Sequence, residues 1–196
     1  MKKLFIILKK MLIMIAIRNG SVPLLLKQWP PEKLPSNKKL AFQRYNQLKT
    51  QIQKNMTMAK DLQVLCINER KNGFIEEVPN NEIKKAKCHY LAALLVSRPG
   101  HPMTPLRRVW DASAKVKGGT SLNENLYAGP NMVPKIFHII MRCRYFKYFL
   151  QSDISKAFLR LLLNEEYRDF TRLYIKENWE DMSSKDLLYR FKTILF

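Results

Sequence analysis

The sequence predicts a protein of the α+β class, with two helices early in the chain and paired strands after them. Apolar residues recur at helical spacing through residues 38–55 and again through 57–71. Later apolar runs are shorter, contain many aromatic and branched residues, and are bounded by turn residues. Helices and strands that occupy separate stretches of one chain are typical of the α+β class.

Charge sets the first expectation about partners. The chain of 196 residues is long enough to bury a core, and it carries 35 Lys and Arg against 16 Asp and Glu, a net charge of +19. This excess favours attraction to a polyanion, and nucleic acid is the first candidate. A basic surface of the ribosomal-protein kind is the alternative. Acidic residues gather in 164–186, so the basic surface belongs mainly to the N-terminal part.

The first 33 residues are predicted to be a segment and linker at the edge of an upstream region. Lys9 and Lys10 interrupt the apolar start, and the uninterrupted run Met11–Ile17 is shorter than the roughly 20 residues that span a bilayer. No stable membrane partner is therefore expected. An amphipathic surface helix and a hairpin turning at Asn19-Gly20 both remain open. Prolines in 28–37 favour an extended linker.

Two helices follow the linker. The first is expected from Lys38 to Asn55 with Ser36 or Asn37 as its cap, and the second from Thr57 to Lys71 with an end at Asn72-Gly73. The residues predicted to face inward are Leu40, Phe42, Tyr45, Leu48 and Ile52 in the first helix and Met58, Leu62, Leu65 and Cys66 in the second.

A β-hairpin is predicted next. Tyr90–Val96 and Leu106–Trp110 are apolar strands, and the loop Ser97–Pro105 between them contains Pro99-Gly100. Alternation along the return strand places Arg107 and Arg108 on opposite sides. Each of these arginines can also be ordinary surface charge.

A short element capped by Ser121 or Asn123 leads to a helix over Met132–Arg144, in which Ile136, Ile139 and Ile140 are expected to face inward. The basic and aromatic residues at its end can contact a nucleic-acid strand, or the rings can belong to the core. Tyr148–Leu150 is expected to form a buried strand that ends near Asp153.

Asp153 has two interpretations from the residues alone. A carboxylate at a strand end is a good Mg²⁺ ligand, and an aspartate before Ser155–Leu159 can equally cap a short helix. Further on, a short acidic helix is expected over Asn164–Phe170. Thr171–Glu177 and Leu187–Phe196 are expected to pair as strands, the second of them lacking a further partner.

Four sequence blocks carry a resemblance to a known family. RVWDASAK, SLNENLYAGP, RCRYFKY and SDISKAFLRLLLNEEYRDF, in this order and spacing, resemble the reverse transcriptase of BEL/Pao retrotransposons over residues 34–196. The resemblance implies the fingers and part of the palm of a right-hand polymerase, preceded by two helices. It divides the chain into an N-terminal segment at 1–33, a fingers-like region at 34–147 and a partial palm at 148–196.

The resemblance also implies roles for individual residues. Asp153 matches the first catalytic aspartate and holds Mg²⁺ together with the backbone carbonyl of Ile154. The backbone of Ala157 contacts the nucleotide phosphates, and Phe158 excludes a 2′-hydroxyl, so that the substrate is a deoxynucleotide. Arg107 clamps the triphosphate because a guanidinium binds phosphate oxygens in pairs. The weaker candidates for phosphate or nucleic-acid contact are Arg98, Arg142, Arg144 and Lys147.

The expected function follows from these roles and from the absence of one catalytic motif in the sequence. The full-length protein would copy an RNA or DNA template–primer from dNTPs, as part of a Pol polyprotein. The Tyr-x-Asp-Asp motif that completes the two-metal site does not occur in the sequence, so Mg²⁺ is expected only in the complete polymerase and the chain alone is expected to be inactive. The alternatives are a nucleic-acid-binding remnant without catalysis and an interaction module.

The number and spacing of the cysteines indicate in which kind of cellular compartment the protein is expected. Cys66, Cys88 and Cys143 form no CxxC pair, which favours neither a disulfide framework nor a zinc site. A reducing intracellular environment is expected, and not the secretory route. The resemblance implies the cytoplasm or a virus-like particle, and also allows the nucleus.

Overall fold

The computed structural model describes residues 21–29, 31, 34–85, 87–97, 106–131, 133–150 and 155–195. Within these ranges the chain mixes α and β structure, as the sequence predicts. The α-helices are α1 (Lys38–Gln53), α2 (Met56–Lys71), α3 (Leu122–Asn125), α4 (Ile136–Cys143) and α5 (Glu165–Arg168). The strands are β1 (Ser21–Val22), β2 (Ile75–Glu77), β3 (Ala92–Ser97), β4 (Leu106–Asp111), β5 (Leu162–Leu163), β6 (Arg172–Lys176) and β7 (Asp186–Phe191).

The two long helices confirm the predicted spacing in outline. Tyr45, Leu48 and Ile52 of α1 are buried, whereas Phe42 remains 40% exposed. In α2 the buried residues are Ala59, Leu62 and Cys66, with Met58 and Leu65 packed against them. An apolar stripe at helical spacing therefore fixes which face of each helix lies inward.

The ends of the helices depend on single residues. Asn37 precedes α1, but its side chain makes no cap; it instead pairs with the backbone of Tyr90 at 2.7 Å, as both donor and acceptor. At the end of α2, Gly73 has φ 68°, and its N–H donates to the Arg70 carbonyl at 3.0 Å. The Phe74 N–H donates to the Glu69 carbonyl at 3.0 Å, which completes the predicted left-handed helix end.

A three-stranded antiparallel sheet lies next to the helices, in the order β2-β7-β6. The pairing of β6 with β7 confirms the two predicted strands. The expectation that the last strand lacks a further partner is wrong, because β2 occupies its other edge with Ile75 opposite Phe191. Local patterning identifies a strand but carries no information on a partner so distant in sequence.

The predicted hairpin is confirmed as β3 and β4, which pair antiparallel from Ala92–Asp111 to Ser97–Leu106. A parallel bridge between Tyr90 and Arg172 joins the segment before β3 to β6, and the Leu91 N–H donates to the Arg172 carbonyl at 2.7 Å. This contact ties the hairpin to the three-stranded sheet.

A second small pairing involves the N-terminal part. Val22 of β1 lies opposite Leu163 of β5 in a parallel pair. The Asn19-Gly20 turn that was predicted before this strand lies outside the described residues. None of the helices in the described ranges is long and apolar enough to cross a membrane.

One hydrophobic core collects side chains from most of the described elements. Helices α1 and α2 contribute Tyr45, Ile52 and Leu62, and the sheet contributes Leu173 and Ile175. Trp179, from the loop between β6 and β7, is 1% exposed and packs edge-on against Tyr45 at a centroid distance of 5.9 Å. The core thus draws on residues from both sides of the predicted division at 147/148.

Candidate nucleotide and nucleic-acid interface

The hairpin separates two adjacent arginines, as alternation predicts. The Arg107 side chain is exposed on β4 and makes no hydrogen bond or ion pair to any residue in the described ranges. The Arg108 side chain is only 2% exposed. Two neighbouring guanidinium groups of the same strand therefore have opposite surroundings: one is free to meet an anion, and the other is committed inside the protein.

Arg108 holds the hairpin against α2. Its guanidinium donates to the Glu69 carboxylate, lies 3.1 Å from the Cys66 sulfur and stacks 4.6 Å from the centre of the Trp110 ring. Trp110 in turn packs edge-on against Phe191 of β7 at 5.5 Å. These contacts fix the position of the return strand, and hence the position from which Arg107 projects.

A second ion pair ties the end of β4 to α1. Arg44 of α1 donates to Asp111 at the end of β4, and Asp111 also accepts the Ser113 N–H at 3.0 Å. Arg98 of the predicted loop lies outside the described residues. Asp111, the aspartate of the RVWDASAK block, is therefore a structural anchor in this geometry, a role that sequence reasoning did not assign.

The predicted catalytic segment is described only from Ser155 onward, so Asp153 and Ile154 lie outside the described residues. Ala157 precedes a single 3₁₀ turn, Phe158–Arg160. Phe158 is 58% exposed, and Ala157 is exposed beside it. Both are accessible to a ligand, as a nucleotide-binding role requires.

Lys156 is the one non-glycine residue with positive φ in the described ranges, at 54°. Its ammonium group lies 5.3 Å from the centre of the Phe74 ring. This contact places the lysine over the turn that ends α2 and holds the chain just before Phe158.

The segment from α4 to Leu150 departs from its prediction. Ile136, Ile139 and Ile140 are not inward, being 69%, 38% and 48% exposed. Tyr148–Leu150 form no strand, and Leu150 is 95% exposed. Hydropathy indicates that a segment favours burial, but the surface that would cover it must come from elsewhere, and no described element supplies one here.

Arg142, Arg144 and Lys147 are exposed in this same segment. They alternate with aromatic rings that are exposed as well: Tyr145 is 84%, Phe146 72% and Tyr148 77% exposed. Lys147 lies 5.5 Å from the Tyr148 ring centre. The interpretation that these rings belong to the core is wrong.

Two aspartates of the described region, Asp169 and Asp186, have cationic partners within the protein. Asp169 contacts Lys85, Arg172 and Arg190 at about 3.0 Å each, and despite its burial these cations hold the pKa of its carboxyl below the ordinary value. Asp186 accepts from Tyr45 at 2.7 Å and from Lys49 at 2.8 Å. Both carboxylates are therefore occupied by cations of the protein itself.

The described residues contain no group of three or more His, Cys, Asp and Glu side chains that could hold a metal ion. The Mg²⁺ ligands that the resemblance implies, Asp153 and Ile154, lie outside this part of the chain.

Comparison with known proteins adds no assignment. Neither the models of known protein families nor the curated protein sequences contain a match to this chain.

Proposed function

We propose that this chain is a piece of a reverse transcriptase, comprising fingers and part of the palm, that binds nucleotide and template–primer but does not extend a primer by itself. The observation that carries the proposal is the contrast between Arg107 and Arg108. A free guanidinium on a hairpin that its buried neighbour holds in place is the arrangement that a triphosphate clamp needs.

The chemistry of the other exposed residues agrees with this role. Phe158 offers a ring surface against which a sugar can pack, and a bulky ring disfavours a 2′-hydroxyl by size alone. Arg107 can donate two parallel hydrogen bonds to phosphate oxygens and stays charged at any working pH. Asp153, by resemblance, would contribute the first metal-binding carboxylate.

Catalysis by the isolated chain is not part of the proposal. A two-metal site stabilises charge on the attacking and leaving oxygens through carboxylates that bridge both ions. The Tyr-x-Asp-Asp pair is absent from the 196 residues, and of the described aspartates Asp111, Asp169 and Asp186 are engaged with cations. We therefore expect no Mg²⁺-dependent primer extension from the purified chain.

The test is nucleotide binding by matched variants. In a fluorescence titration with a dNTP, Arg107→Ala should weaken binding about tenfold, the loss expected for a charge-assisted phosphate contact. Lys60→Ala removes an exposed cation on α2, outside the hairpin, and should leave dNTP affinity unchanged. Equal affinity of the wild-type chain and Arg107→Ala would contradict the nucleotide-binding role, and Mg²⁺-dependent extension would contradict the expected inactivity.

The alternative is a nucleic-acid-binding remnant without catalysis, which the exposed basic side chains favour. It predicts binding to a template–primer that falls steeply between about 50 and 200 mM salt, as counterion release requires. It also predicts no specific dNTP binding, and no change in either measurement on Asp153→Ala. The dNTP titration therefore separates the two functions.

A further inference from the structure

The segment from Arg142 to Phe149, called here the aromatic-basic segment, has an unusual surface. Four of its side chains are aromatic and all are exposed: Tyr145 84%, Phe146 72%, Tyr148 77% and Phe149 61%. Aromatic side chains of this size are normally covered in a folded protein, because each ring buries a large apolar area. Four exposed rings within five residues therefore indicate a surface that meets a ligand or a partner.

The charge of this region identifies the kind of ligand. Arg142, Arg144 and Lys147 are exposed among the rings, and none of them is paired with a carboxylate in the described ranges. The sequence contains no acidic residue between Glu124 and Asp153. A ligand that matches this surface must therefore combine negative charge with flat faces that can stack.

We propose that the aromatic-basic segment binds single-stranded nucleic acid, with bases stacked on its exposed rings and phosphates contacted by its cations. Base–aromatic stacking tolerates any sequence, because every base has a π-face, and it requires bases that are not already stacked in a duplex. The inference rests on the proposed function, in which the strand would be the unpaired part of a template.

An anionic membrane surface is the main competitor for such a segment. Membrane-surface segments are amphipathic helices with one apolar face and one basic face. Here the helix ends at Cys143, and residues 146–150 are irregular. Exposed rings also run on directly through this irregular stretch, with Lys147 between them, which favours stacking against a strand over insertion into a bilayer.

The test compares ring variants on single-stranded and duplex oligonucleotides. In fluorescence anisotropy with a labelled 20-mer, each of Tyr145→Ala and Tyr148→Ala should weaken single-strand binding about tenfold, within the range reported for loss of one stacked base. Binding to the duplex of the same sequence should change much less. The conservative variant Tyr148→Trp should retain single-strand affinity, because the larger ring stacks at least as well.

Two controls separate stacking from general effects. Tyr127→Ala removes another ring, 57% exposed but outside the segment, and should not change affinity. Arg142→Gln combined with Arg144→Gln should reduce the steepness of the salt dependence by about two phosphate contacts. Near-ultraviolet circular dichroism of each variant checks that the core is intact.

The outcomes distinguish this inference from the function on which it rests. Ring variants that bind a single strand as the wild type does, or that lose duplex binding equally, overturn the inference and leave the proposed function standing. A wild-type chain that binds no nucleic acid at low salt overturns both. Ring variants that lose binding to phosphatidylserine vesicles, or lose self-association, while keeping single-strand affinity would assign the segment to a membrane or to a second copy and overturn the inference.

Discussion

His89 is fully buried where the start of α1 meets the segment that leads into the hairpin. Its Nε2 lies 3.3 Å from the Asn37 amide nitrogen, and its backbone pairs with Asp169 and Arg172 at 3.0 and 3.1 Å. Burial lowers the pKa of His89 from 6.5 to about 4, because a charged imidazole would lose its hydration there. The folded protein therefore holds this histidine neutral.

A pH dependence of stability follows from this residue. The unfolded chain takes up a proton on His89 below about pH 6.5, whereas the folded chain does so only near pH 4. The stability that His89 contributes is thus complete above pH 6.5 and is lost as the pH falls toward 4, by at most about 3 kcal/mol. Urea unfolding of wild type and His89→Gln between these pH values should show a flatter profile for the variant.

His138 provides the matched control for that measurement. It is exposed on α4, so His138→Gln should leave the pH profile of the wild type unchanged. If His89→Gln and the wild type lose stability in parallel as the pH falls, the loss comes from other groups and the interpretation of His89 is wrong.

At the scale of elements, the β3–β4 hairpin is held by buried charge as well as by apolar contact. Arg108→Ala would leave the Glu69 carboxylate, 16% exposed, without its cation and would remove the ring stacking on Trp110. Breaking a buried ion pair from one side costs about 3 kcal/mol, which urea denaturation can measure. Arg107→Ala, one residue away and exposed, should change the free energy of unfolding by less than about 0.5 kcal/mol.

Comparing these two arginine variants tests whether Arg108 is buried and Arg107 exposed, because the residue type is the same at both positions. Equal losses of stability at both positions would mean that the two side chains do not have the different surroundings described here. A large loss for Arg108→Ala alone would agree with the anchoring role that supports the proposed clamp.

At the scale of the whole molecule, α4 and the residues just before it present an apolar surface that the described part of the chain does not cover. Val133, Ile136 and Phe137 are each more than 60% exposed. Surfaces of this kind drive association of copies at high concentration. We expect the wild-type chain to sediment as a concentration-dependent mixture, and Phe137→Glu to shift it toward the monomer.

Val64→Glu is the control for self-association. Val64 is 58% exposed on α2, away from the apolar cluster of α4, and its substitution should leave sedimentation unchanged. A wild-type chain that stays monomeric at every concentration would show that this surface does not pair with a second copy.

Much of the architecture could be predicted from the sequence where the relevant signal is local. Helical spacing located α1 and α2, alternation separated Arg107 from Arg108, and Ser121 caps α3 with its side chain as its position suggested. The failures all concern partners at a distance. Nothing near Phe191 indicates β2, and nothing in α4 indicates that its isoleucines stay exposed.

In the candidate site, too, local features could be predicted from the sequence and distant contacts could not. Exposure of Arg107 and Phe158 agrees with the roles expected from the resemblance, while the catalytic role of Asp153 stays a prediction. For the rings of the aromatic-basic segment the sequence left two interpretations open, contact with a nucleic-acid strand and burial in a core, because it does not show whether another surface covers an aromatic run. The interleaved cations of this segment were the available signal.

The place of β7 in the middle of its sheet has a consequence for biosynthesis. Its partner β2 lies far back in the chain: Arg190 and Glu76, which face each other across the two strands, are separated by 114 positions. As the polypeptide leaves the ribosome, β2 cannot form these hydrogen bonds until the 114 positions up to Arg190 have been synthesised. Non-local pairing of this kind slows folding and exposes unpaired edges to other chains, which favours aggregation during that interval.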